Sequence, residues 1–247
     1  PSPSNDVDTN NAWVRDLASR HGFPALYISR PETPPAELER NVQNGGFKGL
    51  KPYLDFAPMD LPSDKVTVYD FLPPAHLEVA DANGWIVILH IPRPGRLKDP
   101  LNLTQMMEIE QKYPHLKLVI AHIGRAYCPA DLGNAMQVLQ QSERMFFDFS
   151  ANTNMEVMAA LIRCVGSQRI LFGSDLPITH MRMRRICEGG SYINLVPPGI
   201  YGDIHDDPHM RELTTQEGEK LSFFLYEQLL AFRRAAEICN LASADID

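Results

Sequence analysis

Three short apolar runs in the middle of the chain each end in a residue that binds metals or moves protons. Ile86–Leu89 ends at His90, Leu118–Ala121 at His122, and Ile170–Gly173 at Ser174–Asp175. A fourth run, Met145–Phe149, ends in Ser150. The stretches between them have helical spacing, so strand and helix alternate. Short, nearly continuous apolar strands separated by helices predict a parallel sheet covered on both faces. In folds of that kind the functional groups gather at the carboxyl ends of the strands. Two imidazoles and a carboxylate delivered to that end mark the candidate site.

The alternation extends outward. Helices are predicted over Asn10–His21, Pro35–Gln43, Pro73–Asn83, Leu103–Tyr113, near Asp131–Gln141 and over Met155–Val165. Glycines and Pro114 supply their stops. Phe23–Ile28 and Phe47–Tyr53 read as strands, the second carrying Lys51 near its carboxyl end. Residues 177–215 include Pro197–Pro198–Gly199 and the acidic, histidine-bearing Asp203–His209, and read as an irregular insertion or lid. Within them Met181–Arg185 reads as a solvated helical turn. Gln216–Cys239 is predicted to be one long closing helix.

A chain of 247 residues, 44% hydrophobic, can bury one barrel-sized core, and residues 1–247 are read as one domain. The net charge of −8 argues against nucleic-acid and anionic-membrane partners. No apolar run approaches the roughly 20 residues of a spanning helix. Pro1–Asn11 is polar and acidic, unlike a signal peptide. Cys128, Cys164, Cys187 and Cys239 are widely spaced and read as reduced, packing thiols of a cytoplasmic protein.

Five motifs in order, GFKGLKPY (Gly46–Tyr53), ILHIPRP (Ile88–Pro94), LVIAHIGRAYCP (Leu118–Pro129), FFDFSA (Phe146–Ala151) and RILFGSDLP (Arg169–Pro177), resemble the amidohydrolase superfamily, in its amidohydrolase 2 branch. The resemblance implies an α/β fold, a (β/α)8 TIM barrel represented here by strands three to eight and a C-terminal helix. It implies one divalent, zinc-like ion, with His90 and Asp175 on two of the ligand positions. His122 falls on a position beside the metal-bound water. Such an ion would lower that water's pKa toward ~7. Asp175 would then hold metal and accept a proton, while His122 would orient the water or protonate a leaving group.

That branch implies hydrolysis of a small carbonyl, lactone or ester compound, and decarboxylation of a small carboxylic acid stands beside it. The family's first-strand HxH pair has no counterpart in these residues, and neither do its first two strands. A barrel short of two strands would expose sheet edges and core, so the chain is expected to be part of a longer one. The missing pair also keeps a rival open, a metal-free barrel relative that binds and does not catalyse.

Other residues carry paired readings. Arg125, three residues after His122, would clamp a substrate carboxylate or pair with a neighbouring acid. Lys51 would bind a substrate anion or, with its stem buried, pair with a carboxylate; ligation after carbamylation is the lesser reading. Arg93 and Arg96, after His90, would serve a substrate anion or form a solvated loop face. His180, His205 and His209 are scattered surface histidines or a second metal site. The expected partner is a small-molecule substrate, with monomer and homodimer both open.

Overall fold

The computed structural model describes residues 6–246, so the start of the polar stretch read over Pro1–Asn11 lies outside the described residues. The chain divides into two compact units, Pro1–Ala121 with Ser142–Phe146, and His122–Gln141 with Phe147–Asp247.

In the first unit, α1 (Val7–His21) starts where the Asp6 side chain accepts from the Thr9 N–H, and ends at left-handed Gly22. Helix α2 (Pro35–Asn44) precedes β1 (Gly49–Leu50), and α3 (Pro74–Ala82) precedes β2 (Ile86–Leu89). Helix α4 (Pro100–Lys112) precedes β3 (Lys117–Ile120). It begins earlier than its apolar spacing suggests, because Asp99 caps the N–H groups of Leu101 and Asn102 and Pro100 takes the first helical position. Strand β2 pairs in parallel with β1 and with β3, as the strand–helix rhythm predicts.

The expected strand Phe23–Ile28 reduces to one bridge, Tyr27 to Leu50. The backbone N–H and C=O of Ile28 bond the buried Asn11 side chain, at 2.9 and 3.0 Å, in place of a ladder. Gly49 is required where β1 meets β2, since a Cβ there would lie 1.8 Å from the Ile86 carbonyl oxygen. Residues 142–146 belong to this unit because buried Glu110 collects the Ser142 hydroxyl and the N–H groups of Glu143, Arg144 and Met145.

The second unit opens with α5 (His122–Arg125), a single turn, and continues through α6 (Ala135–Leu139), β4 (Phe146–Asp148) from its second residue on, α7 (Met155–Val165) and β5 (Ile170–Leu171). Strands β4 and β5 pair in parallel. Asn154 caps α7 through the N–H groups of Glu156 and Val157.

Residues 177–215 are not irregular. They hold β6 (Arg184–Glu188), β7 (Ser191–Val196) and β8 (Met210–Glu212), a three-stranded sheet in that order. Strands β6 and β7 form an antiparallel hairpin across Gly189–Gly190, both at positive φ, the conformation a two-residue turn demands. The expected helical turn at Met181–Arg185 is therefore replaced by extended chain entering β6. The closing helix is also corrected: α8 (Thr215–Gly218) is separate from α9 (Phe224–Ile238). Between them the chain pairs with 181–183, through Met183 N–H to Ser222 and Phe224 N–H to Met181, and cannot stay helical. Ala151, Met183, Val196 and Phe224 pack together as a core of this unit.

Candidate functional site

The apolar run of β3 ends at a turn of unusual hand. His122, Ile123, Gly124 and Arg125 have φ of 54°, 52°, 58° and 59°. A left-handed conformation costs about 1–2 kcal/mol per non-glycine residue. Such conformations persist where surrounding contacts impose them, and they cluster at functional sites.

The contacts here converge on His122, which is 8% exposed. Its backbone N–H donates to Asp148 Oδ1 at 3.0 Å. Its Nδ1 lies 2.9 Å from the Ser150 carbonyl oxygen and 2.8 Å from Ser150 Oγ. The Ser150 hydroxyl donates to Asp148 Oδ1, which also accepts the Ser150 N–H at 3.0 Å. Asp148 and Ser150 alternate on one side of the chain at the end of β4, so one strand delivers both. With a carbonyl against Nδ1, the ring proton sits on Nδ1 and the lone pair on Nε2. The chain from carboxylate through hydroxyl to imidazole holds the ring in that tautomer. Sequence reasoning stopped at His122 and missed Asp148 and Ser150. The available signal was the polar i, i+2 pair in FFDFSA at a strand end.

Asp175 lies just past β5, partly exposed, at φ 50° and directly before the cis Leu176–Pro177 bond. Tyr127 senses its surroundings. Burial pushes the Tyr127 hydroxyl up, the positive charges of Arg185 and Arg125 oppose the rise, and Asp175 adds to it. Arg185 has no place in the sequence-based site, and its guanidinium stands 4.2 Å from the Tyr127 ring centroid.

Lys51 and His90 meet in the first unit. Lys51 Nζ is 3.2 Å from His90 Nδ1, and Tyr53 lies beside both. A charged lysine donates, so His90 Nδ1 accepts and its ring proton sits on Nε2. Arg93 is not on a solvated loop face: its Nε donates to both oxygens of Asp99 at 3.0 Å, bracing the residue that caps α4.

The ion expected at His90 and Asp175 would draw on one residue from each unit. Among the described residues no group of three or more His, Cys, Asp or Glu is arranged to hold a metal. The Lys51 contact also directs His90 toward the tautomer that offers no lone pair at Nε2. Of the histidines considered for a second metal site, His209 stacks on Tyr192 at 4.1 Å and His180 on Phe223 at 5.0 Å.

The four-thiol reading is overturned, because Cys128 and Cys187 form a disulfide, and Cys164 and Cys239 are free. Sequence separation of 59 hid the pair, and β6 brings it together. An apolar cleft of 390 Å³ beside β5, lined by residues including Phe149, Phe172, Leu229 and Phe232, contains none of His122, Ser150 or Asp175. None of the described helices is long and apolar enough to cross a membrane.

The amidohydrolase family model matches residues 5–221. No curated protein sequence matches the chain. Among solved structures, an amidohydrolase II is 17% identical, with a TM-score of 0.50 over 70% of this chain and 65% of that one. A dihydroxybenzoic acid decarboxylase from Polaromonas sp. JS666, solved with bound manganese and the inhibitor 2-nitroresorcinol, is 19% identical at a TM-score of 0.48, covering 69% and 64%. A 5-carboxyvanillate decarboxylase from Sphingomonas paucimobilis is 14% identical at 0.47, covering 69% and 62%. The chain spans less than two thirds of each of these three structures.

Proposed function

The chain belongs to the amidohydrolase family, and from that premise we propose that it is an enzyme in which His122 moves the proton during hydrolysis of a small carbonyl, lactone or ester substrate. The observation that carries this reading is the grip of Ser150 and Asp148 on His122 Nδ1. Nε2 takes a proton from the attacking water, and the imidazolium, oriented by Ser150 at Nδ1, returns it to the leaving group. The chain's own residues, in this reading, orient the substrate and handle the proton.

A second reading, decarboxylation of a small aromatic acid, is favoured by Arg125, three residues after His122 on the same turn, a cation suited to clamp a substrate carboxylate. The test is turnover of activated esters, lactones and benzoic acids, followed by acid release and by CO2 release. Hydroxy-acid release without CO2 supports hydrolysis, and CO2 supports the second reading. In either case His122→Gln should lower kcat at least about 100-fold and Asp148→Asn by a smaller factor. Full activity in His122→Gln would sink both. Substrate binding without turnover in the parent protein would support the non-catalytic rival.

A further inference from the structure

We propose that Arg185 and Gln228 are positioning residues for His122, acting through the backbone of Ala151. The inference rests on the reading that His122 moves the proton, and its geometry lies entirely within the second unit.

Ala151 follows Ser150 and is held at φ 49°, a conformation an alanine does not choose unaided. Side chains from two distant elements hold it. Gln228, wholly buried on α9, accepts the Ala151 N–H at 2.9 Å and donates from Nε2 to the Gly173 carbonyl at 2.8 Å. Arg185, on β6, donates from Nη1 to the Ala151 carbonyl at 2.6 Å.

The link to His122 is the planarity of one peptide. The Ala151 N–H and the Ser150 C=O belong to the same trans amide and point in opposite directions. The side chain that grips the N–H therefore aims the carbonyl, and that carbonyl lies 2.9 Å from His122 Nδ1. Arg185 holds the next peptide, so the amide cannot turn about either neighbour.

The direction of Arg185 is itself over-determined. Its guanidinium lies 4.2, 4.7 and 4.8 Å from the ring centroids of Tyr127, Tyr192 and Phe224. Its Nε donates to Asn194 Oδ1 at 2.8 Å. Cys187 shares its face of β6 two residues on, and bonds Cys128 beside Tyr127. A planar fork held this way keeps one donor direction, which a lysine would hold less firmly.

The test uses the full chain labelled with 15N-histidine, with Arg185→Met, Arg185→Lys and Gln228→Met as variants. In Arg185→Met and Gln228→Met the hydrogen-bonded Nδ1–H resonance of His122 should move upfield and exchange faster. On the substrate class found active, kcat should fall about tenfold with KM little changed, the pattern of misplacement rather than lost binding. Arg185→Lys should recover part of both effects. A folded Arg185→Met with the parent's His122 resonance overturns the proposal, whether or not turnover depends on His122. If Gln228→Met does not fold, Arg185→Met decides alone. The resonance readout thus separates failure of this inference from failure of the proton-transfer reading, which His122→Gln tests by activity.

Discussion

Gly173 approaches Ser150 so closely that a Cβ on it would stand 3.1 Å from Ser150 Cβ and 3.4 Å from its Oγ. The two residues close the ends of neighbouring strands, and the hydroxyl they crowd is the one between Asp148 and His122. Gly173→Ala adds one methyl group where the neighbour must give by a few tenths of an ångström. The expected stability loss is about 1 kcal/mol, measured by urea unfolding. Turnover should fall about tenfold, because the displaced atom belongs to the chain that sets the His122 tautomer. Parent-level turnover in this variant would show that the Ser150 position is not critical.

His76 predicts how the stability of the first unit depends on pH. It is 1% exposed, its Nε2 lies 2.8 Å from the Thr33 carbonyl, and its buried Nδ1 has no partner. Burial pushes its pKa below the ordinary 6.5, against smaller opposing effects from the Thr33 carbonyl and Glu32. The unfolded chain therefore binds more protons than the folded one between the lowered pKa and 6.5, and stability must rise with pH across that window. Full stability from this group is present above 6.5 and is lost as pH falls through it. His76→Phe removes that titration, so the stability difference between parent and variant should shift in the variant's favour on acidification. Parallel stability curves from pH 7.5 to 5 would refute the assignment.

The disulfide makes a prediction about both thiols and stability. In denaturant without reductant, alkylation should label Cys164 and Cys239 only, and after reduction all four cysteines. Closing a loop with a sequence separation of 59 restricts the unfolded chain by about 4 kcal/mol on the loop-entropy model. Cys187→Ser should therefore lower the urea midpoint markedly. Four reactive thiols without reductant would remove the bond.

What the sequence makes legible follows from the range of the interactions involved. The β2 run Ile86–Leu89 and helix Met155–Val165 match their predicted bounds because local pattern and cap chemistry agree. The β6–β7 hairpin was legible too, through Gly189–Gly190 between two strand-like runs, but the prolines that follow drew the whole segment into a loop reading. The break at 219–223 was not legible, since it comes from pairing with 181–183. At the site, His122 stood out as a strand-end imidazole, whereas Arg185 and Gln228 meet Ala151 only through long-range folding. Their spacing from it in sequence, 34 and 77 residues, carries no periodic signal.

The Lys51–His90 contact yields the last prediction, on metal uptake. Zinc sites take at least three protein donors, each offering a lone pair. No such group is arranged among the described residues, and a charged Lys51 at 3.2 Å makes Nδ1 the accepting nitrogen of His90. An ion could reach Nε2 only if the ring proton moved to Nδ1 and Lys51 withdrew. The 247-residue chain, stripped by a chelator and titrated with zinc, should therefore bind less than one tight ion and show no saturable rise in Tm. Lys51→Met removes the competing donor and should raise zinc affinity, an increase that His90→Ala in the same background abolishes. One tight ion per parent chain, lost in His90→Ala, would mean that the lysine yields to the metal and that His90 ligates as the family resemblance implies.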